Sequence, residues 1–162
     1  MTSRAAELVR VLGLEPHPEG GHYREVFRST SGVWPTDERP LRAALTTIYF
    51  LLDDGEVSRW HRVRSDEVWH LYEGGTLELL VAPPDLSSVE RRRVTSAGEG
   101  PTPVSVVPAG WWQAARPLGG YVLAGCTVGP GFEFADFTFL RDVAEAVEAL
   151  RACGRPEDLE LL

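Results

Sequence analysis

The segment from Gly55 to Gly74 limits what this chain can fold into more than any other part of the sequence. It places His61 and Glu67 among residues that favour β-strands, and it has a glycine at each end. An imidazole and a carboxylate together form a general acid–base pair or part of a divalent-metal site. The segment therefore predicts strands that bring these two side chains together.

Strand geometry indicates how the side chains of this segment are directed. His61 and Val63 are two residues apart, so they face the same side of a strand. Glu67 follows a turn over residues 64–66 and lies on the neighbouring strand, where it can meet His61. His70 stands at an odd offset from Glu67 and faces the opposite side, unless a bulge turns it inward. We therefore interpret His70 as a packed or interfacial histidine.

The whole chain, residues 1–162, predicts one mainly β domain with short helices at both ends. Its 162 residues can bury a substantial core, and its 16 glycines and 12 prolines are scattered between short apolar segments. Helical spacing predicts helices over about 3–12 and about 142–152, on either side of a β core over about 21–140. Composition and periodicity do not distinguish a β-sandwich from a small barrel. Strands are predicted over 22–29, 41–52, 76–81, 104–107, 111–115, 121–128 and 132–140.

Charge and composition exclude some classes of partner. A net charge of −8 argues against a nucleic-acid partner, and the arginine run at 91–93 is interpreted as a solvated loop. No apolar run reaches the about 18 residues of a membrane span, and residues 1–7 lack the apolar core of a signal peptide. We therefore expect a cytoplasmic protein with no membrane partner. Cys126 and Cys153 are too few for a disulfide framework and are expected to be buried and inert.

Residues 107–113 carry a second candidate segment. Pro108 and Gly110 indicate a tight turn that leads to Gln113, the only glutamine of the chain. The side-chain amide of Gln113 can bind a metal weakly through its oxygen, or it can hydrogen-bond a ligand. Trp111 has the same strand parity and would form an aromatic wall beside the amide, whereas Trp112 is expected in the core.

Both segments resemble the motifs of the cupin barrels. The first cupin motif, Gly-x5-His-x-His-x3-Glu-x6-Gly, is matched except that Val63 takes the position of the second histidine. The second motif, Pro-x-Gly-x2-His, is matched except that Gln113 takes the position of the histidine. Longer stretches resemble one small group of the superfamily, the cupin family 5 type, whose function is unknown. These stretches are 16–21, 23–25, 58–63, 65–70, 107–113 and 125–132.

This resemblance covers about residues 12–140 and implies a cupin double-stranded β-helix, or jelly-roll barrel, with a pocket inside it and a homodimer as the assembly. It implies no particular reaction. The departure at Val63 leaves His61, Glu67 and, weakly, Gln113 as metal ligands, with His70 added only if a bulge turns it inward. No cofactor is certain, and a metal at such a site would be weakly bound Mn²⁺, Fe²⁺, Ni²⁺ or Zn²⁺.

Three functions remain open for such a barrel. In the first, an epimerase or isomerase acts on a sugar or a sugar-nucleotide-like small molecule. His61, polarised by Glu67, takes a proton next to a carbonyl, Gln113 stabilises the developing oxyanion, and a tyrosine returns the proton. The expected catalytic residues are Tyr23, Glu25, His61 and Glu67, and the expected ligand contacts are Tyr49, Tyr72, Trp111, Gln113 and Tyr121.

The other two functions use the same pocket differently. A metal-dependent isomerase, lyase or dioxygenase would hold its ion through His61, Glu67 and Gln113. A non-catalytic barrel would stack a small ligand against Trp69, Tyr72 and Trp111. The fold alone does not decide between catalysis and binding.

Overall fold

Two long antiparallel strands form the centre of the fold. The computed structural model describes residues 3–98, 100 and 102–162. The strands are β1 (Glu15–Pro16), β2 (His22–Arg28), β3 (Gly32–Val33), β4 (Arg42–Ala43), β5 (Thr46–Leu52), β6 (Ser58–Val63), β7 (Asp66–Ala82), β8 (Glu90–Val94), β9 (Val104–Val107), β10 (Trp112–Gly129) and β11 (Phe137–Phe139). The long strands β7 and β10 pair along almost their whole length.

The sheet curls because β10 changes neighbours along its length. The first part of β10 pairs with β6 and β7, and its second part pairs with β5 and β7. The order β1-β2-β5-β10-β6-β11 extends the sheet to both sides, and β8 and β9 pair with β7. This curled antiparallel sheet confirms the predicted mainly β jelly-roll fold.

Alternation along β7 separates two cores. Leu77, Leu79 and Val81 belong to the core inside the barrel, whereas Leu80 and Ala82 belong to a second core outside it. The separation follows from the two-residue period of a strand. Each large apolar side chain that is fully buried in this way stabilises the fold by roughly 1.5–3 kcal/mol.

Short helices cover the outside of the barrel, as the sequence predicts. They are α1 (Arg4–Leu12), α2 (Ala144–Cys153) and α3 (Pro156–Leu159), the last of which is not predicted. The hydroxyl of Ser3 accepts the N–H of Ala6 at the start of α1, and Gly13 ends this helix in a left-handed conformation. Leu150 of α2 is buried in the outer core. Among the described residues, no helix is both long and apolar enough to cross a membrane.

The glycine pairs at 74–75 and 119–120 do not end strands, so the prediction of separate strands on either side of them is wrong. The register of β10 against β7 shifts between Leu118 and Val122. Gly74, like both glycines of the second pair, has a positive φ, a conformation that residues with a Cβ rarely adopt. The irregularity is absorbed at the glycines, so both strands bend and continue.

The predicted strand over 132–140 is wrong outside β11. A 3₁₀ turn comes first, and its last residue, Asp136, accepts hydrogen bonds from the guanidinium groups of Arg39 and Arg42 at 2.8–3.2 Å. All three charged side chains are buried. Because buried charges require paired partners, this ion cluster favours the turn over an extended strand.

Two further predictions are wrong. The predicted strand over 41–52 divides into two, because β4 pairs with β3 in a separate two-stranded sheet and β5 joins the main sheet. The arginines at 91–93 lie in β8 and not in a loop, since β8 pairs with β7. Arg91 forms an ion pair of 2.8 Å with Asp158, a fully buried residue of α3.

Candidate functional site

A pocket of about 160 Å³ opens into the barrel beside β2. Its floor consists of buried side chains, and its mouth consists of exposed ones. The floor includes Glu19, His61, Val63, Glu67 and Cys126. The mouth includes Glu15, Glu25, Arg28, Glu133 and Phe134. Several groups that can carry a proton therefore lie out of water at the bottom of a cleft that solvent can enter.

Four parts of the chain supply the floor, and one of them, β10, carries Cys126. β6 carries His61 and Val63 on one face, as strand parity predicts, and β7 places Glu67 on the same pocket. The fourth part is the connector between β1 and β2, which carries Glu19. The N–H of Arg59 donates to the Glu19 carbonyl at 2.8 Å, so the connector is tied to β6 beside His61.

The Glu19 carboxyl group is the centre of the site. Its Oε2 lies 3.3 Å from Nε2 of His61 and 3.5 Å from Nδ1 of His17. Its Oε1 accepts a hydrogen bond from the Ser58 hydroxyl at 2.8 Å. Burial removes water from the carboxyl and raises its pKa to about 8, against the weaker opposing effect of the Ser58 hydrogen bond.

The hydrogen bonds of the two histidines define where their protons lie. Nδ1 of His61 is 2.7 Å from the carbonyl oxygen of Arg59, which can only accept, so Nδ1 carries the proton and Nε2 has the free lone pair. Nδ1 of His17 accepts the N–H of Glu19 at 3.2 Å, so it also has no proton. The free lone pair of His61 Nε2 therefore faces a carboxyl oxygen of Glu19 at 3.3 Å, and a proton on Glu19 satisfies this arrangement.

Burial keeps both imidazoles neutral in support of this assignment. It lowers the pKa of His17 to about 4, with a further lowering by the nearby His61. It also lowers the pKa of His61, although Glu67 and the Arg59 carbonyl oppose the shift. The site is therefore built from neutral imidazoles and a protonated carboxylic acid near neutral pH.

Glu67 is held by a chain of hydrogen bonds that begins in the core. The indole N–H of Trp69 donates to the amide oxygen of Gln113 at 2.9 Å, and the amide nitrogen of Gln113 donates to Glu67 at 2.5 Å. All three side chains are buried. Burial raises the pKa of Glu67 to about 6, and the hydrogen bond from Gln113 opposes this rise. Glu67 is therefore a carboxyl of fixed position that titrates near neutral pH.

Replacing Gln113 by leucine should raise the pKa of Glu67 above about 6, because the ionised carboxylate loses its amide donor. We also expect a loss of about 1–3 kcal/mol in the free energy of unfolding, since Trp69 loses its acceptor. Carbon-13 NMR titration of the glutamate carboxyls and urea unfolding measure these effects. Trp69→Phe is the matched control, because it leaves the bond between Gln113 and Glu67 in place. An unchanged Glu67 pKa in Gln113→Leu would contradict this account of the hydrogen-bond chain.

Aromatic rings orient the two imidazoles. The ring of His61 stacks on Phe137, with centroids 5.0 Å apart and planes inclined by 15°. The ring of His17 meets Tyr23 edge to face at 4.5 Å. These contacts restrict the rotation of both histidines, which keeps their lone pairs directed at Glu19.

The structure brings four of the predicted site residues to one pocket. They are the expected catalytic residues Tyr23, Glu25, His61 and Glu67. Glu25 lies at the mouth, where its carboxylate accepts hydrogen bonds from Nε and Nη2 of Arg28 at 3.0 and 2.8 Å. His70 is not among the residues that line this pocket, in agreement with its strand parity.

The structure does not bring the other predicted ligand contacts to the pocket. Tyr49 is the neighbour of a lining residue on β5, so its side chain faces outward, where it meets Tyr72 edge to face. Tyr121 donates its hydroxyl to Glu73 at 2.6 Å on the outside of the barrel. Trp111 packs against the inner core, and the aromatic neighbour of the Gln113 amide is an indole of β7. Gln113 itself acts behind the pocket, through Glu67.

The metal ligands that the cupin motifs predict do not form a set of three donors. In residues 3–98, 100 and 102–162, no three His, Cys, Asp or Glu side chains form a group that could hold a metal ion. The amide oxygen of Gln113, the proposed third ligand, already accepts the indole N–H of Trp69. His61 and Glu67 alone are fewer donors than a stable metal site uses, and the neighbouring Nδ1 of His17 already accepts the N–H of Glu19.

Sequence reasoning missed His17 and Glu19. Both lie in the stretch 16–21, where two prolines indicate a turn-rich connector. A connector without regular periodicity gives no direction for its polar side chains. The signal that could have found them is a histidine and a glutamate two residues apart, directly before two glycines. Gly20 has a φ of +114°, and a Cβ on it would overlap the carbonyl oxygen of Val57. The glycine therefore allows the connector to lie close enough to place Glu19 in the pocket.

The curled barrel and its internal pocket define a cupin. The chain belongs to the family described as Cupin superfamily (DUF985), whose model matches residues 6–140. This confirms the predicted resemblance. None of the curated proteins matches the chain significantly.

Solved structures support the same assignment. A hypothetical protein from Leishmania major is 35% identical, with 84% of this chain and 86% of that chain covered and a TM-score of 0.76. A protein from Shewanella oneidensis is 32% identical, with 99% and 98% covered and a TM-score of 0.80. Oxalate decarboxylase from Bacillus subtilis is 14% identical over 91% of this chain and 36% of that chain, with a TM-score of 0.59, and shares the fold alone.

Proposed function

We propose that this cupin is an enzyme that moves a proton within a small polar molecule, as an isomerase or epimerase acting on a sugar does. One observation carries the proposal: a buried carboxyl, Glu19, lies 3.3 and 3.5 Å from nitrogens of two imidazoles at the floor of an open pocket. A second carboxyl with a different pKa lines the same pocket. Two groups whose environments separate their pKa values are the usual acid and base of such reactions.

Glu67 acts as the base and Glu19 as the acid. Glu67, with a pKa of about 6, is largely ionised at neutral pH and accepts the proton from the carbon next to a carbonyl. Glu19, with a pKa of about 8, is protonated and donates to the carbonyl oxygen. His61 contacts Glu19 and interacts electrostatically with Glu67, so it can return the proton from one carboxyl to the other.

Other pocket residues would orient the substrate. Burial raises the pKa of Tyr23, so its hydroxyl stays protonated and can donate a hydrogen bond to a substrate oxygen. Glu25 remains bound to Arg28 at the mouth. The sequence suggests that a tyrosine returns the proton to the substrate. Tyr23 is the tyrosine among the described lining residues, and Glu19 is the other group that can return the proton. Variants of Tyr23 and Glu19 distinguish the two.

The test is exchange of substrate hydrogen with solvent. Incubation with neutral aldoses and ketoses in deuterium oxide, followed by proton NMR, should show deuterium entering the carbon next to the carbonyl. We expect Glu67→Gln, Glu19→Gln and His61→Ala each to lower the exchange rate by at least about 100-fold without loss of fold. Tyr23→Phe should lower it far less if Glu19 returns the proton.

His70→Ala is the matched control, since it removes a histidine outside the pocket and should affect stability or assembly more than exchange. Full exchange activity in Glu67→Gln or His61→Ala would contradict the proposed acid–base set. Absence of exchange in the unmodified protein, together with tight binding of a sugar, would favour the non-catalytic barrel, whose support is the aromatic side of the pocket around Phe134 and Phe137.

The homodimer and the cytoplasmic location inferred from the sequence stay predictions. Trp34 and Leu41 are 75% and 50% exposed, and large apolar side chains left in water are frequent at contacts between subunits. They are the residues at which we propose to look first for a subunit interface.

A further inference from the structure

The mouth of the pocket is acidic. Among the described lining residues, Glu15, Glu25 and Glu133 oppose a single arginine, Arg28. Glu67 adds a further carboxyl at the floor. A ligand that enters this pocket therefore passes more negative than positive groups.

Arg28 has little capacity left to bind an anion. Its guanidinium donates to Glu25 at 2.8 and 3.0 Å, to Glu133 at 2.8 Å and to the carbonyl oxygen of Phe132 at 3.1 Å. These bonds occupy four of its five N–H groups. The arginine acts to hold two carboxylates in place at the mouth, so a carboxylate or phosphate ligand would compete with both.

Aromatic rings form the other side of the entrance. Phe132, Phe134 and Phe137 line the pocket with their rings inclined to one another by 60–81°. Phe134 is 52% exposed, so its ring is accessible to a ligand. Aromatic faces beside carboxylates are the surroundings that attract organic cations.

We propose that the ligand of this pocket is a small amine that is protonated at neutral pH, such as an amino sugar, and that anions such as sugar nucleotides are excluded. That this amine is a substrate rests on the proposed function, whereas the binding of the amine in the pocket does not. The volume of about 160 Å³ is close to that of a cavity of about 150 Å³ that holds benzene, so a six-membered ring fits.

Three probes of equal ring size test the charge preference: benzylamine, benzyl alcohol and benzoate. Titration of the full chain at neutral pH, followed by NMR shifts of Tyr23 and the pocket phenylalanines, should show benzylamine binding about tenfold more tightly than benzyl alcohol. Benzoate should bind most weakly. Added salt should weaken the binding of benzylamine and leave the binding of benzyl alcohol unchanged.

Glu133→Gln tests whether the mouth causes this preference. The substitution removes one carboxylate and releases an N–H group of Arg28. It should therefore weaken the binding of benzylamine several-fold and strengthen the binding of benzoate. Glu148→Gln is the matched control, because Glu148 pairs with Arg151 at a similar distance, 2.9 Å, on the exposed face of α2. It should leave all three affinities unchanged.

Benzoate binding as tightly as benzylamine would overturn the proposal, as would the absence of any benzylamine binding at millimolar concentration or an equal response in Glu148→Gln. These outcomes are separate from the exchange test. Preferential binding of benzylamine without hydrogen exchange in an amino sugar would contradict the isomerase function and support the amine site. Hydrogen exchange in neutral sugars without a preference for benzylamine would support the isomerase function and contradict the amine site.

Discussion

Replacing Glu19 by glutamine should remove the loss of stability that we expect in the unmodified protein between pH 6.5 and 8. The pKa of Glu19 is raised from 4.5 to about 8 in the folded state. In the interval between these values the folded state keeps a proton that the unfolded state has lost. Stability therefore falls as the pH rises through this interval, by about 1.4 kcal/mol for each pH unit.

Above pH 6.5 Glu19 has the largest effect on stability of the shifted groups of the pocket. Glu67, raised from 4.5 to about 6, acts in the same direction as Glu19 but only at lower pH. His17, lowered from 6.5 to about 4, acts in the opposite direction, because the stability gained from its neutral form is lost as the pH falls through that interval. Above pH 6.5 Glu19 is the main group that still titrates. His17 and His61, whose pKa values are lowered from 6.5 in the folded state, are still half protonated in the unfolded state at pH 6.5, and each offsets about 0.4 kcal/mol of the Glu19 effect. We therefore expect a net loss of about 1 kcal/mol up to pH 8.

The glutamine variant keeps the contacts of the protonated acid. Its amide N–H can donate to His61 where the carboxyl proton does, and its oxygen can still accept the Ser58 hydroxyl. Urea unfolding at pH 6.5 and at pH 8 should show no fall in stability for Glu19→Gln between the two pH values, and a higher stability than that of the unmodified protein at pH 8. Glu148→Gln should retain the slope of the unmodified protein. A Glu19→Gln variant with that same slope would show that Glu19 is ionised in the folded state.

Replacing Gly20 by alanine should cost about 3 kcal/mol or more in the free energy of unfolding. The φ of Gly20 is +114°, which strains any residue with a Cβ, and the added Cβ would overlap the backbone oxygen of Val57. The connector would have to move away from β6. We therefore expect Glu19 to leave its position beside His61 and the pKa of Glu19 to fall toward its usual value.

Gly55→Ala separates the strain of the backbone from the overlap. Gly55 has a φ of +80° but no atom within 4 Å of the added Cβ, so this variant should lose only about 1 kcal/mol. Urea unfolding measures both losses, and nitrogen-15 NMR of the His61 ring reports whether Glu19 still faces Nε2. Equal losses in the two variants, with an unchanged His61 spectrum in Gly20→Ala, would contradict the role assigned to Gly20.

Local patterns are enough to predict much of this fold. The alternation of polar and apolar residues predicts β2 and β9, the helical spacing predicts α1 and α2, and strand parity places His61 and Val63 on one face. Patterns fail where a distant partner changes the local preference. Asp136 takes part in a turn because two arginines from another part of the chain bind it, and the glycine pairs bend strands instead of ending them.

The candidate site could be predicted only in part for the same reason. His61 and Glu67 stand close together in the sequence, at a spacing that strands translate into proximity. Glu19 lies on a connector that regular periodicity does not describe, and its approach to His61 depends on a contact between that connector and β6. The cupin motif places Gln113 at a ligand position, but in the structure Gln113 donates to Glu67 and accepts the indole N–H of Trp69, which lies on another strand.

The sequence by itself determined the terminal helices through short-range periodicity, and it determined the cupin barrel and the pair of His61 and Glu67 through the resemblance of its motifs to those of the cupins. Only the tertiary structure decided that Glu19 is protonated, that Glu67 titrates near neutral pH and that the mouth of the pocket is acidic. These properties depend on the removal of water and on charges brought together from distant parts of the chain. Desolvation is a property of the folded surroundings, and no local pattern of residues records it.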